Sequence, residues 1–332
     1  MLKVNLKLYP SKPDTRDHII KAATPLKTKG FADLSQFCTS VKDQGVLGSC
    51  TAFASVGAME FLQKRFGENK ADDIYSERFT YYATRVNVLN WTPDDSGAYV
   101  RDAVKSLVKY GTCLEKSFPY NGDCKTAPGQ PAYAEASKYQ ALSYAKFEDG
   151  NSPVERSQLI NVLKANLDAG LPIIGGFICY SNIWSAVKGV IPKSNGQIIG
   201  GHAILLVGYD DSKQLFKFKN SWGKGWGDNG YGYLPYDYYI LGDMFDLWSI
   251  HKSENEDIKS VGLDVVNPNI QKAVNKADLE EALKQVIEQA DGLLTRGQTN
   301  GILNEMIKKY VKKPKITTLL NALKGPLNSM AS

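Results

Sequence analysis

A regular pattern of apolar residues in the first half of the chain begins at a cysteine. From Cys50 onward, apolar side chains recur at spacings of three and four residues, and the recurring positions are Phe53, Ala54, Gly57, Ala58, Phe61 and Leu62. This spacing is typical of a buried helical face, and the stretch ends with two basic residues and Gly67, a frequent helix stop. The pattern predicts a core helix that carries Cys50 in its first turn.

The remaining patterns divide the chain into a helical half and a strand half. Residues 68–90 predict a shorter helix, and VRDAVKSLVKYG, residues 100–111, places its apolar residues on one face before a glycine stop. Later runs are short and apolar or alternating, as in antiparallel strands: LPIIGGFICY, GGHAILLVGYDD, LFKFKNSW and GYGYLPY. Helices followed by strands predict an α+β fold with a cleft where the two halves meet.

The two ends of the chain differ in pattern from its middle. Residues 1–30 are rich in Lys, Pro and Asp with little periodicity, which predicts an extended N-terminal arm ahead of a domain over residues 31–253. Residues 254–332 begin as a polar linker and continue with helical patterns, the clearest being ADLEEALKQVIEQADG, so they predict a small helical C-terminal extension. This extension is a candidate for contact with a partner or with the rest of the chain.

Composition and charge narrow the class of protein. The 43% hydrophobic and 23% charged residues are typical of a soluble globular protein, and no apolar run reaches the roughly 18 residues that cross a membrane. The net charge of +5 is mild for 332 residues, so it does not indicate nucleic-acid binding. Residues 1–20 carry scattered charges in place of the apolar core of an export signal, which predicts a cytoplasmic protein or one released by a non-classical route.

The cysteines bear on metal sites and disulfides. The chain has five of them, Cys38, Cys50, Cys113, Cys124 and Cys179, so at least one thiol is free or is paired between chains. No CxxC pair suggests zinc, and we expect no metal and no cofactor, only a reduced thiol. The sequence leaves open whether Cys113 and Cys124 are bonded to each other.

Cys50 has two interpretations on local grounds. It is either a small buried hydrophobe or a nucleophile. The unpaired N–H groups and the positive dipole end of a helix N-terminus favour a thiolate there. Gly45 and Gly48 allow a tight turn just before it, which would hold the sulfur at the rim of a cleft. The nucleophilic role also requires a base.

His202 is the best candidate for that base. It opens an apolar strand between Gly201 and Ala203, whereas His18 and His251 lie among charged residues in less regular contexts. A histidine at the start of a strand can also be purely structural.

Three further residues have side chains suited to the remaining catalytic roles. Asn220 closes the strand LFKFK, and its side-chain oxygen suits a hydrogen bond that fixes the imidazole tautomer. Trp222 lies two positions later and is suited to cover that bond from water. Gln44, six residues before Cys50, is suited to donate to an oxyanion together with the Cys50 backbone N–H. The structural alternative is a glycine-rich turn with packing tryptophans.

Together these motifs resemble those of the papain-like cysteine peptidases in residue type, order and approximate separation. The motifs are Gln44, GSC ending at Cys50, GHA around His202, NSWG beginning at Asn220 and GWGDNGY ending at Tyr231, and they span about residues 30–250. The resemblance implies a two-lobed fold in which a helical lobe faces an antiparallel, β-barrel-like lobe. It also implies that Cys50 is the nucleophile, His202 the base and then the acid, Asn220 the orienting residue and Gln44 the oxyanion donor.

The chain departs from the common pattern of that family in two ways. Leu47 stands where the CGSCW motif has a cysteine, so the first disulfide of secreted members is missing. The residues ahead of the domain also lack the helical pattern of a long inhibitory prosegment. We interpret the chain as a family member without the usual secretory signal, long prosegment and first disulfide, either synthesised active or controlled by its short arm or helical tail.

The activity implied by the resemblance is that of an endopeptidase that cleaves peptide or protein substrates through a thioester acyl-enzyme. The resemblance further implies a pocket for the second residue on the acyl side, suited to an apolar side chain and lined by Gly97, Ala98 and Tyr99 opposite Ala203 and Gly176. Two alternatives stay open. The same groups would serve an acyl transferase or deamidase, and a binding module would keep the cleft without catalysis.

Overall fold

The computed structural model describes residues 5–67, 74–251 and 259–266. The chain separates into two compact units, one of Met1–Lys12 with Ile19–Val265 and the other of Pro13–His18 with Val266–Ser332. The helices predicted beyond residue 276 lie outside the described residues. The domain boundaries at residues 30/31 and 253/254 remain predictions.

The predicted core helix is present as α1, Cys50–Phe66. Every residue from Cys50 to Leu62 is buried, as expected of a helix that is apolar on most of its circumference. Ser49 is the N-cap residue, and Lys64 and Arg65 lie in the last turn, where cations favour the negative end of the helix dipole.

Two other helices confirm the helical character of the first half. Helix α2, Glu77–Tyr82, begins at Ser76, whose side chain accepts from the Phe79 N–H, and it continues as a π-helical turn over Ala83–Val88. Helix α3, Val100–Lys109, has one strongly apolar face. The chain leaves α3 through Gly111, whose φ of +72° is the left-handed conformation that glycine adopts without strain.

Eleven strands lie in the described residues, and the four predicted runs of the second half are among them. Their bounds are β1 Leu8–Tyr9, β2 Ile19–Ala22, β3 Phe31–Asp33, β4 Ala98–Tyr99, β5 Ser143–Phe147, β6 Ile173–Tyr180, β7 Ile198–Asp210, β8 Leu215–Lys219, β9 Tyr231–Pro235, β10 Met244–His251 and β11 Leu263–Val266. Nine of them form one sheet in the order β11-β2-β5-β10-β6-β7-β8-β9, with β3 also paired to β7. Strands β1 and β4 form a separate parallel pair.

The α+β class is confirmed, and the sheet expected to form a barrel-like lobe is not a closed barrel in the part of the chain that the structure describes. Within the described residues the sheet is open, with β11 and β9 at its ends. It is also mixed, because β2 runs parallel to β5. Strand β2 comes from the predicted arm, so part of the arm is built into the sheet.

Three helices of the structure were not predicted: α4 Gln130–Ala136, α5 Pro153–Asp168 and α6 Tyr236–Ile240. Helix α5 starts at a Ser152 cap with Pro153 in the first position, which is a good helix start. Its buried residues lie only in its second half, from Ile160 to Leu167, so its sequence shows little sustained periodicity. Within residues 5–67, 74–251 and 259–266, no helix has the length and apolar character needed to span a bilayer.

Helix α1 lies against the centre of the sheet, and this contact positions the site. Gly57 on α1 faces Leu205 on β7, where an added Cβ would lie 3.5 Å from the leucine side chain. The N-terminus of α1 therefore points along β7 toward Ala203 and His202. The fold thus brings Cys50 and His202, 152 positions apart in the sequence, to one place.

Candidate active site

Cys50 is the first residue of α1, in the position that the sequence predicts. The turn before it is tight, with a φ of +58° at Gly45. Its side chain is fully buried, and the backbone N–H groups of Ala203, Thr51 and Cys50 point toward the thiol. The contact with Ala203 shows that the sulfur lies beside the strand that carries His202.

His202 lies on β7, opposite Phe177 on the paired strand β6. Its Nε2 atom is 2.7 Å from the side-chain oxygen of Asn220. Trp222 stacks on the imidazole with ring centroids 4.5 Å apart and an angle of 30° between the rings. The phenyl ring of Phe177 meets the imidazole edge to face at 5.9 Å. The structure therefore brings together the histidine, asparagine and tryptophan that the sequence singled out.

The tautomer of His202 follows from the hydrogen bonds of Asn220. The oxygen of that side chain also accepts from the Ser221 backbone N–H at 2.8 Å, which identifies the atom facing the imidazole as Oδ1. An amide oxygen only accepts, so His202 Nε2 carries the proton and donates a hydrogen bond to Asn220 Oδ1. His202 Nδ1 is buried without a hydrogen-bond partner among the described residues. Its lone pair is available as a base.

The electrostatics of Cys50 and His202 are governed by burial. Burial raises the pKa of the Cys50 thiol to about 11; backbone N–H groups act in the opposite direction, and the charge of Asp95 adds to the increase. Burial lowers the pKa of His202 to about 4, against the effect of its hydrogen bond with Asn220. Both groups are therefore neutral at pH 7.

Gln44 is held in place by contacts with both sides of the site. Its backbone N–H donates to the Ser221 carbonyl at 2.9 Å, and its Oε1 accepts from the Ser221 hydroxyl at 2.6 Å. Its Nε2 donates to the Leu47 carbonyl at 2.7 Å, which uses one of its two N–H groups. The second N–H is left for another acceptor. Gln44 is thus fixed between the turn before Cys50 and the segment that follows Asn220.

Lys7, Leu8 and Tyr9 of the arm lie against four of the five residues predicted to line a substrate pocket, which are Gly97, Ala98, Tyr99 and Gly176. Gly176 and Ala203 are paired across β6 and β7. Leu8 is opposite Ala98, and its side chain lies so close to Gly176 that a Cβ at that glycine would overlap it. Phe245, which no sequence pattern singled out, lies against the same glycine.

The arm forms an extra strand between β4 and β7, which are the two walls of the site. Tyr9 is opposite Tyr99 in the parallel pair of β1 and β4. On the other side, Lys7 forms a parallel bridge with Gly201, the residue before His202. At Gly97, whose φ is +77°, a side chain would overlap the Lys7 carbonyl oxygen. Only glycine allows the arm to come this close to the wall.

Asp95 is a second residue that the sequence analysis missed. Its carboxylate accepts from the Gly48 N–H at 2.9 Å and from the Tyr81 hydroxyl at 2.8 Å. The Asn5 side chain donates to it at 2.8 Å, and Lys7 Nζ lies 3.5 Å away. It follows another aspartate in a polar loop, WTPDDSGAY, and no local pattern distinguishes it from a solvated loop residue.

All five cysteines are free thiols in the structure. Cys113 packs in an apolar cluster with Phe79 and Phe118, whereas Cys124 packs in a different cluster with Leu47. The question that the sequence left open is therefore answered, because the two thiols lie in separate clusters. Leu47, which stands where a disulfide cysteine was expected from the resemblance, packs in the same apolar cluster as Cys124.

The fold and the site together are those of a cysteine-dependent hydrolase. Residues 31–239 match the family model described as papain family cysteine protease. An uncharacterized peptidase C1-like protein of Acanthamoeba polyphaga mimivirus is 33% identical over 290 residues, which cover 80% of this chain and 92% of that protein. The chain belongs to the papain family of cysteine proteases.

Other relatives agree with this assignment. A cathepsin B-like protein of Giardia intestinalis is 31% identical over 203 residues, covering 58% of this chain and 62% of that protein. Among solved structures, xylellain, a cysteine protease from Xylella fastidiosa, is 29% identical with a TM-score of 0.66, and the match covers 76% of this chain and 97% of xylellain. The chain is accordingly a papain-family cysteine peptidase, a class of hydrolases that act on peptides or proteins.

Proposed function

We propose that the protein is an endopeptidase in which Cys50, His202 and Asn220 form the catalytic triad. The observation that carries this proposal is the 2.7 Å hydrogen bond from His202 Nε2 to Asn220 Oδ1, with Nδ1 left as a free base on the strand beside the Cys50 thiol. A nucleophile, a base and a group that orients the base are the parts that acyl transfer from a peptide requires.

The proposed reaction proceeds through a thioester. His202 Nδ1 takes the Cys50 proton while the sulfur attacks the carbonyl carbon of the scissile peptide. The oxyanion that forms is stabilised by the free N–H of Gln44 Nε2 and by the backbone N–H of Cys50. The C–N bond then breaks as the imidazolium returns the proton to the leaving amine. Water, deprotonated by His202, hydrolyses the thioester, and the thiol regains its proton. These steps use protein side chains, water and a reduced thiol.

The surroundings of the imidazole support the assignment. Trp222 covers one face of the ring, and it keeps water away from the hydrogen bond that fixes the tautomer. A displaced arm would leave a wall of glycine backbone beside the thiol, and an extended peptide would pair with that wall as β1 does. A binding module would need neither the hydrogen bond of His202 Nε2 nor the polar contacts of Gln44.

Product analysis separates the proposed hydrolysis from deamidation and acyl transfer. The full chain is incubated under reducing conditions with an unfolded protein that contains glutamine, with and without an added primary amine. Mass spectrometry of the products is expected to show peptides that end in new carboxylates, with glutamine side chains unchanged. Intact substrate with a mass gain of about 1 Da per glutamine, or with amine attached, would instead indicate the alternative activities.

Gln44→Ala is expected to lower kcat by about 100-fold with little change in KM, because the oxyanion exists only in the transition state. Steady-state kinetics on a fluorogenic peptide checks this. Ser221→Ala is the matched control, since it removes the 2.6 Å bond to Gln44 Oε1 but keeps the donating amide. An equal loss in both variants would mean that Gln44 acts only through its packing.

Leu8→Asp is expected to raise kcat/KM about tenfold. Burial of a leucine side chain stabilises the bound arm by about 1.5–3 kcal/mol. With aspartate at position 8 this stabilisation is lost, and burying a carboxylate beside Gly176 and Phe245 adds a desolvation cost. The arm would then compete less well with substrate. The control is Leu241→Asp, the same change at a leucine that is 61% exposed. An unchanged rate in Leu8→Asp would show that the arm does not limit substrate access.

A further inference from the structure

We propose that Asp95 determines specificity by binding a lysine or arginine side chain at the substrate position immediately before the scissile bond. This inference rests on the proposed peptidase function and adds a residue to its binding site. Asp95 lies on the loop that leads into β4, one wall of the site. The structure already shows a cation on it, because the ammonium of Lys7 donates to both the backbone carbonyl and the carboxylate of Asp95.

The position of Asp95 relative to Cys50 supports this role. Its carboxylate accepts from the N–H of Gly48, two residues before the nucleophile, and its charge acts on the thiol. The side chain of Lys7 passes beside Gly48, where an added Cβ would lie 3.0 Å from the Lys7 Cβ. Lys7 therefore occupies the part of the wall nearest to the reacting sulfur. Leu8 occupies the adjacent apolar pocket.

The arm runs in the opposite direction to a productive substrate. In a substrate, the residue before the scissile bond is nearest to Cys50, and the residues that precede it in sequence lie progressively farther away. In the arm, Lys7 lies at Gly48, whereas Tyr9 lies at Tyr99 and Ser11 donates to Asp246 on β10. From Lys7 to Ser11 the arm thus runs from Gly48, two residues before Cys50, toward β4 and β10. Because the arm runs in reverse, its peptide bonds do not present the carbonyl carbon to Cys50 from the side that acylation requires.

The order of side chains on the wall gives the expected substrate motif. Read from the pocket toward Cys50, the arm presents a leucine and then a lysine. A substrate with the same side chains in these places reads Leu-Lys or Leu-Arg in its own N-to-C direction, followed by the cut. The pocket around Gly176 selects the apolar residue, and the negative charge of Asp95 selects the basic one.

The test compares two fluorogenic peptides, one ending in Leu-Lys and one ending in Leu-Gln before the reporter group. Their kcat/KM values are measured on the full-length wild type and on Asp95→Asn. The asparagine oxygen still accepts from Gly48 and Tyr81, so the loop is retained and only the charge is lost. Competition from the arm affects both peptides equally and cancels in their ratio.

The matched control is Asp94→Asn, which removes the same charge one residue away. Asp94 is exposed and accepts from Thr92 at 3.1 Å. We expect the wild type and Asp94→Asn to prefer the lysine peptide by about fivefold, a typical strength for a partly exposed ion pair, and Asp95→Asn to show a ratio near 1. The wild-type preference is also expected to shrink as ionic strength rises.

Three outcomes would overturn the inference. If the wild type cleaves both peptides equally well, the peptidase function stands and the role of Asp95 is wrong. If the preference persists in Asp95→Asn, another residue supplies it. If neither peptide is cleaved and other peptides are not cleaved either, the proposed function fails, and the inference fails with it.

Discussion

Replacing Cys50 with alanine is expected to reduce peptide hydrolysis to the rate measured without enzyme. The thiol supplies the bond to the acyl group, and no other described residue in the site can replace it, so the loss relative to wild type is expected to be on the order of 10⁴-fold or more. The variant should fold, because the change removes one buried sulfur atom from the first turn of a 17-residue helix. Rates are measured on a fluorogenic peptide and on an unfolded protein.

Cys179→Ala is the control for this experiment. Cys179 is a fully buried thiol on β6, near enough to Cys50 for the two charges to interact. Burial raises the pKa of its thiol well above the ordinary value, and no step of the proposed mechanism uses this thiol. The control is expected to keep activity within a few-fold of wild type. Substantial hydrolysis by Cys50→Ala, or an equal loss in Cys179→Ala, would exclude Cys50 as the sole nucleophile.

Replacing His202 with alanine is expected to lower kcat/KM by about 10⁴-fold. The thiol would then have no base, and burial already raises its pKa to about 11, so very little thiolate forms at pH 7. A second effect follows from the same cause. Residual activity in this variant should rise with pH through the range 8 to 10, because each pH unit below the thiol pKa changes the thiolate fraction about tenfold.

His251→Gln is the matched control, a change of the other buried histidine in the sheet, on β10. Thermal unfolding of both variants shows whether they fold, since His202→Ala leaves a cavity beside Trp222 and Phe177. The predicted result is a folded His202→Ala that has lost activity and a His251→Gln that has kept it. A folded His202→Ala with activity within tenfold of wild type would contradict the assignment of the base.

Cys50, His202 and Asn220 could be singled out from the sequence because each begins or ends a patterned element and because the motifs around them together resemble those of a family. Cys50 begins an apolar helical pattern, His202 opens an apolar strand, and Asn220 closes an alternating one. The structure places all three where those elements meet. Their mutual distances depend on the contact of α1 with β7, which no local pattern specifies. The roles of these residues remain proposals that the experiments above test.

The position of the arm could not be predicted, and the reason is physical. Residues 5–9 alternate polar and apolar side chains over too short a stretch to indicate a strand on their own. They become one only because β4 on one side and Gly201 on the other offer backbone partners, and Gly97 leaves room for the arm. Asp95 was missed for a related reason, since a loop aspartate gains a role only when Gly48 and Lys7 are brought to it.

The open sheet and helix α5 show a different limit. The family resemblance implied a barrel-like lobe but not its strand order, in which β2 enters from a segment predicted to be an extended arm. In α5 the exposed first half obscures the apolar spacing of the second. Both features depend on partners distant in sequence.

The central claim is that Cys50 is the reactive nucleophile of a peptidase, and covalent labelling tests it most directly. The reduced wild type is treated at neutral pH with a peptidyl epoxide that alkylates active-site thiols, and the labelled residue is located by mass spectrometry of a digest. The account predicts one added inhibitor per chain, attached to Cys50, with activity lost in proportion to labelling. An active enzyme that is unlabelled at Cys50, or one that keeps its activity after Cys50 is fully labelled, would contradict it.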